Sequence, residues 1–427
     1  MKIHNEHLLA PFYEKKKKNV AIFSDIFYPS LGGVTFVVNN LANALIENGN
    51  FNVVVVTGDV RGHKDNVPYP VIRTRSFPIP KAIGDSLPLP AFDRKFRKLL
   101  EKLNIDVIHT HTVFGIACYG NKFAKKHNIP VVFHGHSKFN EEYQAILKCK
   151  PISAIVARRA FRVVNKSDIV VAVSQNTKNI YKQQKVKRDI VVVSNATEMT
   201  SCDKEKAFEY IEEKYGISKD EKNVMLLVAR IELKTKNIDF LLDGLEIVKK
   251  KIPNFKLVIV GDGKDFSALQ KLIVEKKFED NIVLTGQIKD REVIKYFYKR
   301  ADLFTFPSVV DNCPLVKFEA ATQGTPTIAI EDTGASEEIV DGENGYLSAY
   351  NVESFGDKIV DIFSDMKKLE KVSQNATTTL GKTWKEKAIV LENIFLEQME
   401  KKRECKTYKK SYKKAKIYGG KIVWKKR

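Results

Sequence analysis

The strongest constraint on what this chain folds into is a repeated alternation. A short run of β-branched and aliphatic residues stops at Gly, Ser, His or Asp, and an apolar pattern of helical period follows. In the first half the runs cover residues 20–24, 53–57, 107–109, 131–134, 169–173 and 190–194; in the second they cover 224–228, 257–260, 282–285, 303–306 and 327–330. Strands that are apolar throughout are covered on both faces, and alternation with helices makes the sheets parallel. The two series predict an α/β protein of two Rossmann-like, doubly wound domains. Length agrees, since 427 residues exceed the roughly 250–300 at which one core stops growing.

The pattern breaks at residues 195–203, Asn-Ala-Thr-Glu-Met-Thr-Ser-Cys-Asp, before a helix expected over 204–215. This places an N-terminal domain at 1–198 and a C-terminal domain at 199–382. A helix over 383–400 is expected to return to the first domain, and a basic tail follows at 401–427.

Residues 401–427 hold thirteen Lys or Arg against Glu404 alone, so +12 of the formal net charge of +20 lies there and +8 in the other 400 residues. Such a block is either a solvated tail or the footprint of an anionic partner, a lipid surface or a nucleic acid. Tyr408, Tyr412, Tyr418 and Trp424 lie among its cations, which include Lys409, Lys410, Lys413 and Lys414. A second basic element runs over 92–103. On a helix, Phe92, Phe96, Leu99 and Leu103 share one face, with Arg94, Lys95, Arg97, Lys98 and Lys102 around it. That spacing fits a helix lying in a bilayer interface and equally a surface helix packing inward. No stretch approaches the ~18 apolar residues of a membrane span. The first 19 residues do not read as a signal peptide. Five cysteines, scattered and without CxxC spacing, disfavour a disulfide framework or a zinc site. A reducing, cytoplasmic setting is expected.

Ligands of open parallel sheets bind beyond the carboxyl ends of the strands. After the first strand, Gly32-Gly33 precedes a helix, either as a plain tight turn or as a place where backbone amides approach a phosphate. His109, His111, His134 and His136 fall at two strand ends. With no carboxylate or Cys nearby to complete a ligand set, hydrogen bonding to a polyhydroxylated ligand is preferred to metal, and no metal is expected. In the second half Arg230 follows a strand and Lys236 stands at a helix start, a pair suited to a diphosphate. Gly261, in Gly-Asp-Gly, ends the next strand. Asp311 lies in the loop after Phe306-Pro-Ser308, Pro314 suits a first helical turn, and Glu319 falls within that helix before Gly324. Two carboxylates so placed suit separate sugar hydroxyls, while a cap and a solvated Glu would be the plainer reading.

From residue 20 to 397 the chain resembles the retaining glycosyltransferases of family 4, which have the GT-B fold: two Rossmann-like domains facing across a cleft. The most specific part is Phe306-Pro-Ser through Glu319-Ala-Ala-Thr-Gln-Gly-Thr-Pro326, Gly334 and Asp341-Gly-Glu-Asn-Gly345, similar to the family's Glu-x7-Glu signature with Asp311 in place of the first Glu. The resemblance implies a nucleotide-sugar donor in the C-terminal domain. It implies that Glu319 binds the ribose, Asp311 the transferred sugar, Arg230 with Lys236 the diphosphate, and Gly33, beside Gly32, the donor phosphates from the acceptor-side domain. His136 corresponds to the active-site histidine, with His134 a second candidate. The mechanism implied has no enzyme nucleophile: the leaving diphosphate helps deprotonate the acceptor on the same face. No cofactor or metal is required, since the nucleotide-sugar is a substrate. Phe23-Ser-Asp-Ile-Phe-Tyr-Pro29, Asp106-Val-Ile-His-Thr-His-Thr112 and the basic surface are similar to bacterial diacylglycerol glucosyltransferases. They imply transfer of a hexose from UDP-glucose to a membrane lipid, at the inner face of the cell membrane and with no nucleic-acid partner. A glycan acceptor, a sugar-nucleotide epimerase of the same shape and a basic nucleic-acid-binding protein are the alternatives.

Overall fold

The two parallel sheets begin with one local device used three times. Asp106, Asp168 and Asp302 each precede a strand and accept the backbone N–H at the start of its neighbour, from Asn19, Val131 and Val224 at 2.8–2.9 Å. A short polar residue at the amino edge thus fixes register where the apolar run itself is indifferent to it. In the computed structural model, residues 1–14, 16–78, 86–414, 416–418 and 421–423 are described, with side chains to residue 405 except that of residue 145.

The first sheet has eight strands in the order Lys2–His4, Val71–Thr74, Phe51–Gly58, Lys18–Phe23, Val107–Thr110, Val131–Gly135, Ile169–Ala172, Ile190–Val192. Only Lys2–His4 runs antiparallel. The second sheet has six parallel strands: Ile282–Gly286, Lys256–Val260, Val224–Val228, Leu303–Phe306, Thr327–Ile330, Tyr346–Ser348. In each sheet the first parallel strand in sequence lies inside, with later strands on both sides, so each has a switch point where strand order reverses. It falls between Lys18–Phe23 and Val107–Thr110 in one, and between Val224–Val228 and Leu303–Phe306 in the other.

Every strand expected from apolar runs is present, with no end shifted by more than two residues. Among the described residues before the tail, five strands carried no such run. Val71–Thr74 is short and contains Arg73; Lys2–His4 and Tyr346–Ser348 are three-residue edge strands; and Ser76–Pro78 with Ser86–Pro88 form a small Pro-containing hairpin.

The chain divides into two units, one of residues 1–173, 177–193 and from Lys385 on, the other of 174–176 and 194–384. The last helix, Trp384–Lys414, packs within the first unit: Phe395 meets Phe51 edge-on at 5.8 Å, and Glu392 accepts hydrogen bonds from Asn48 and Asn50.

The interface-lying helix of residues 92–103 is corrected. The helix spans Arg94–Leu100, and Phe96, Leu100 and Leu103 belong to the core of the first unit, with Leu99 packed against it. Its apolar stripe is therefore occupied. Phe92 lies outside it in a short 3-10 turn and is 77% exposed. Arg94, Lys95, Arg97 and Lys98 remain exposed. The side chains of Lys409, Lys410, Lys413 and Lys414, with Tyr408, Tyr412 and Tyr418, lie outside the described ones, and Trp424 outside the described residues.

Candidate functional site

The switch point of the second sheet gathers most of the residues singled out from sequence. Lys236 follows Val224–Val228 and Asp311 follows Leu303–Phe306, the two strands that flank the reversal. Lys236 Nζ stands 2.8 Å from both Asp311 oxygens, and Ser308 Oγ donates to Oδ2 of the same carboxylate. The ion pair is about four-fifths buried on each side. Asn237, in the left-handed region at φ 50°, donates to Pro307 O at 3.0 Å and binds the two loops together. Sequence had assigned Lys236 and Asp311 to different parts of a ligand; here they hold each other. Arg230 is 64% exposed, with Glu232 at 3.8 Å as a loose partner.

Glu319 sits in the helix Leu315–Thr322, for which Pro314 is the N-cap rather than a residue of the first turn. Its side chain is almost fully buried, and both oxygens are engaged. Arg291 Nη2 stands 2.5 Å from Oε1, and Tyr298 OH donates to Oε2 at 3.1 Å. Burial first, then the Glu319 charge, raises the Tyr298 phenol well above its ordinary value, which keeps it a neutral donor. Arg291 opens the helix Arg291–Arg300, capped by Asp290, and Tyr298 lies two turns on. Neither was singled out from sequence. An Arg just after a capping Asp at a strand's carboxyl end is the signal that was there to read.

Glycines divide into two kinds. At Gly261, φ is 148° and an added Cβ would lie 1.9 Å from Ala229 O; at Gly334 it would lie 2.2 Å from Asn312 O and 2.6 Å from Asp311 O. Their identity is explained by packing of the chain on itself, so the sequence argument from Gly261 to a ligand falls away. At Gly32 and Gly33 a Cβ would meet nothing within 4 Å. Gly32 has ordinary extended backbone and caps the helix Gly33–Asn48. No internal contact requires Gly at these two positions, and Gly32 stands where Gly is among the residues preferred as an N-cap.

In the first unit Asp25, within the run Phe23-Ser-Asp-Ile-Phe-Tyr-Pro29, is built into the fold. It accepts the Ile116 N–H at 2.7 Å, near the start of the helix Gly115–His127, and the Thr112 hydroxyl at 2.6 Å. Beside it the four histidines come together. His109 and His111 share a face of one strand's end and His134 and His136 of the next, because alternate residues point the same way. Ring centroids are 4.4 Å apart for 109–111, 5.4 Å for 109–134, 5.1 Å for 111–134, 5.2 Å for 111–136 and 4.6 Å for 134–136. His111 Nδ1 and His136 Nε2 are 3.0 Å apart. His111 Nε2 and both nitrogens of His109 and His134 are buried without a hydrogen-bond partner, a cost of roughly 1–3 kcal/mol for each group left unsatisfied. Burial first, then the neighbouring rings, lowers the pKa of His109, His111 and His134 well below the ordinary value. His136 is lowered by burial to about 4. All four rings are neutral at pH 7.

Residues 31–200 match the family model described as Glycosyltransferase Family 4, and residues 209–379 that described as Glycosyl transferases group 1. An alpha-monoglucosyldiacylglycerol synthase of Acholeplasma laidlawii is 29% identical over 351 residues, covering 78% of this chain and 85% of that protein. The enzyme of the same name from Streptococcus pneumoniae is 26% identical over 317 residues, covering 73% and 70%. Among solved structures, a sucrose-phosphate synthase of Thermosynechococcus elongatus superposes with a TM-score of 0.72 at 20% identity, over 89% of this chain and 99% of that one. The fold is GT-B, each sheet carries its own family match, and the chain belongs to the glycosyltransferases of family 4.

Proposed function

We propose that the chain transfers a hexose, glucose from UDP-glucose in the first instance, to a membrane lipid such as diacylglycerol, with retention at the anomeric carbon. The observation that carries the donor half is the switch-point cluster of the second sheet, where cations and carboxylates suited to a sugar diphosphate stand at the carboxyl ends of parallel strands. In this reading Lys236 and Arg230 meet the charge that grows on the departing diphosphate. Asp311 holds the Lys236 ammonium in place and turns to a sugar hydroxyl when the phosphates take its partner. Glu319, oriented by Arg291 and Tyr298, accepts the ribose hydroxyls. The family resemblance adds Gly32 and Gly33 for the donor phosphates and His136 for the transferred sugar. Fixed cations do the electrostatic work, so the reading calls for no metal at the diphosphate.

The acceptor half rests on the two relatives named for glucosyldiacylglycerol synthesis, and with it the placement of the enzyme at the inner face of the membrane. A surface suited to that setting is the helix pair Phe139–Leu147 and Lys150–Val164. It exposes Ile146, Leu147, Ile152 and Ile155 beside Lys148, Lys150, Arg158 and Arg159.

The test offers UDP- and GDP-hexoses with vesicles containing diacylglycerol, and in parallel a glycan acceptor, and identifies products by mass spectrometry. Monoglucosyldiacylglycerol formed from UDP-glucose alone is expected. Transfer only to the glycan would overturn the acceptor, and donor conversion without any acceptor would overturn transfer itself.

A further inference from the structure

We propose that His109, His111 and His134 form a binding site for one divalent transition-metal ion of the borderline class, such as Zn2+, Co2+ or Ni2+. Each side chain offers one nitrogen, and the three nitrogens lie within 4.8 Å of one another in a fully buried cluster. Tetrahedral ligands at about 2.0–2.1 Å from zinc stand roughly 3.4 Å apart, so the rings must turn and close in to reach bonding distance.

The hydrogen-bond pattern selects the ligand atoms. His111 contacts His136 through Nδ1, leaving Nε2 as the nitrogen without a partner. With Nδ1–H donated to His136 Nε2, His111 is the tautomer whose Nε2 lone pair is free for a metal, the usual arrangement of a ligating histidine and the group that orients it. His109 and His134 each carry two nitrogens with no partner at all. Buried side-chain nitrogens are ordinarily satisfied, and among the described residues no carboxylate hydrogen-bonds these three rings. A metal supplies one acceptor of lone pairs for all three at once.

The absence of a carboxylate or Cys, which argued against metal from sequence, selects among metals instead. A nitrogen-only set favours the borderline ions over Mg2+ and Ca2+. Three protein ligands leave a fourth position for water or another small group. The ion would tie the ends of Val107–Thr110 and Val131–Gly135 together and, through His111, fix the orientation of His136. The inference stands independently of the donor and acceptor assigned above.

The experiment strips full-length protein with a chelator, loads it with Zn2+, dialyses it and counts bound metal by mass spectrometry, with thermal melts in parallel. One retained ion per chain and a melting temperature that rises with Zn2+ are expected. Loading with Co2+ should give the intense visible bands of a four-coordinate nitrogen site, without the sulfur charge-transfer bands that cysteine ligands produce. His134→Gln and His109→Leu should each abolish retention, while His63→Gln and His127→Gln, outside the cluster, should not. Should either cluster variant fail to fold, the Co2+ spectrum of the unaltered protein decides. No retained ion, a weak six-coordinate Co2+ spectrum, or undiminished retention by folded His134→Gln and His109→Leu would overturn the proposal.

Discussion

Glu319 is a carboxylate fixed by its neighbours that the proposed reading also gives a ligand. Its two oxygens are held by Arg291 and Tyr298, so the charge is oriented before any ligand arrives. Glu319→Gln keeps the volume and the contact with Tyr298 but removes the charge. Arg291 is about half exposed, so solvent screens the lost ion pair, and the stability change should stay below about 1 kcal/mol. Donor affinity should instead fall on the order of 10-fold, measured by titration beside a thermal melt; unchanged donor binding would remove Glu319 from the site. Lys236→Ala tests the other half of the cluster. If Lys236 meets charge that develops on the leaving group, turnover should fall on the order of 10²-fold with little change in the acceptor Michaelis constant, and Arg230→Ala should follow the same pattern. A raised acceptor Michaelis constant at normal turnover would contradict both assignments. Arg230, Lys236, Asp311 and Glu319 were legible in sequence because each follows a recognisable strand or sits in the helix after one. Their partnerships were not. Lys236 and Asp311 are 75 positions apart, and only the reversal of strand order makes them neighbours.

At the scale of elements, the least legible strand turns out to organise the loop before Gly32. Arg73, on Val71–Thr74, is buried and donates to Gly58 O at 2.5 Å, to Tyr28 O at 2.6 Å and to both oxygens of Asp65 at 2.7 Å. One guanidinium thus joins the end of Phe51–Gly58 to the loop that leads into the helix Gly33–Asn48. Burial alone would raise the Asp65 pKa, but Arg73, with His4 and His63, overcomes it and leaves the group below its ordinary value of 3.8. Its contribution to stability is therefore present above that value and lost as pH falls through the lower folded value. Asp65→Asn leaves a buried guanidinium without its counter-charge, which should cost about 3–5 kcal/mol in denaturant unfolding at pH 7. The loss should shrink toward the acid end of the range, where the unaltered protein loses the same pair. A cost below 1 kcal/mol would show that the backbone carbonyls alone satisfy Arg73. Sequence missed this because a four-residue strand containing Arg has no apolar run to announce it. Residues 92–103 failed for the opposite reason: an apolar stripe at helical spacing is the same whether it faces a bilayer or a core, and the core cluster around Phe96 decides the matter.

At the scale of the whole molecule, the charge of +20 and its concentration in the last 27 residues bear on where the enzyme works. Among the described residues no helix is long and apolar enough to cross a membrane, so attachment in the proposed reading is electrostatic and superficial. Each Lys or Arg near an anionic surface contributes about 1 kcal/mol, and the attraction decays over a Debye length of about 10 Å at 0.1 M salt. The basic tail and the exposed isoleucines of the helix pair 139–164 would act together, one by charge and the other by shallow insertion. Among the described side chains of the last helix the buried ones end at Met399, so removing residues 401–427 keeps them and costs the Lys402–Asp168 ion pair. Sedimentation with anionic vesicles should therefore weaken as salt rises, weaken further in the truncated chain, and weaken again when Ile152→Asp and Ile155→Asp are combined, whereas neutral vesicles recover little protein. The double substitution lies on an exposed surface and should leave the unfolding free energy within about 1 kcal/mol of the starting value. Equal, salt-insensitive recovery of full-length and truncated protein by both kinds of vesicle would sink electrostatic docking. Loss on truncation but not on substitution would assign attachment to the tail alone.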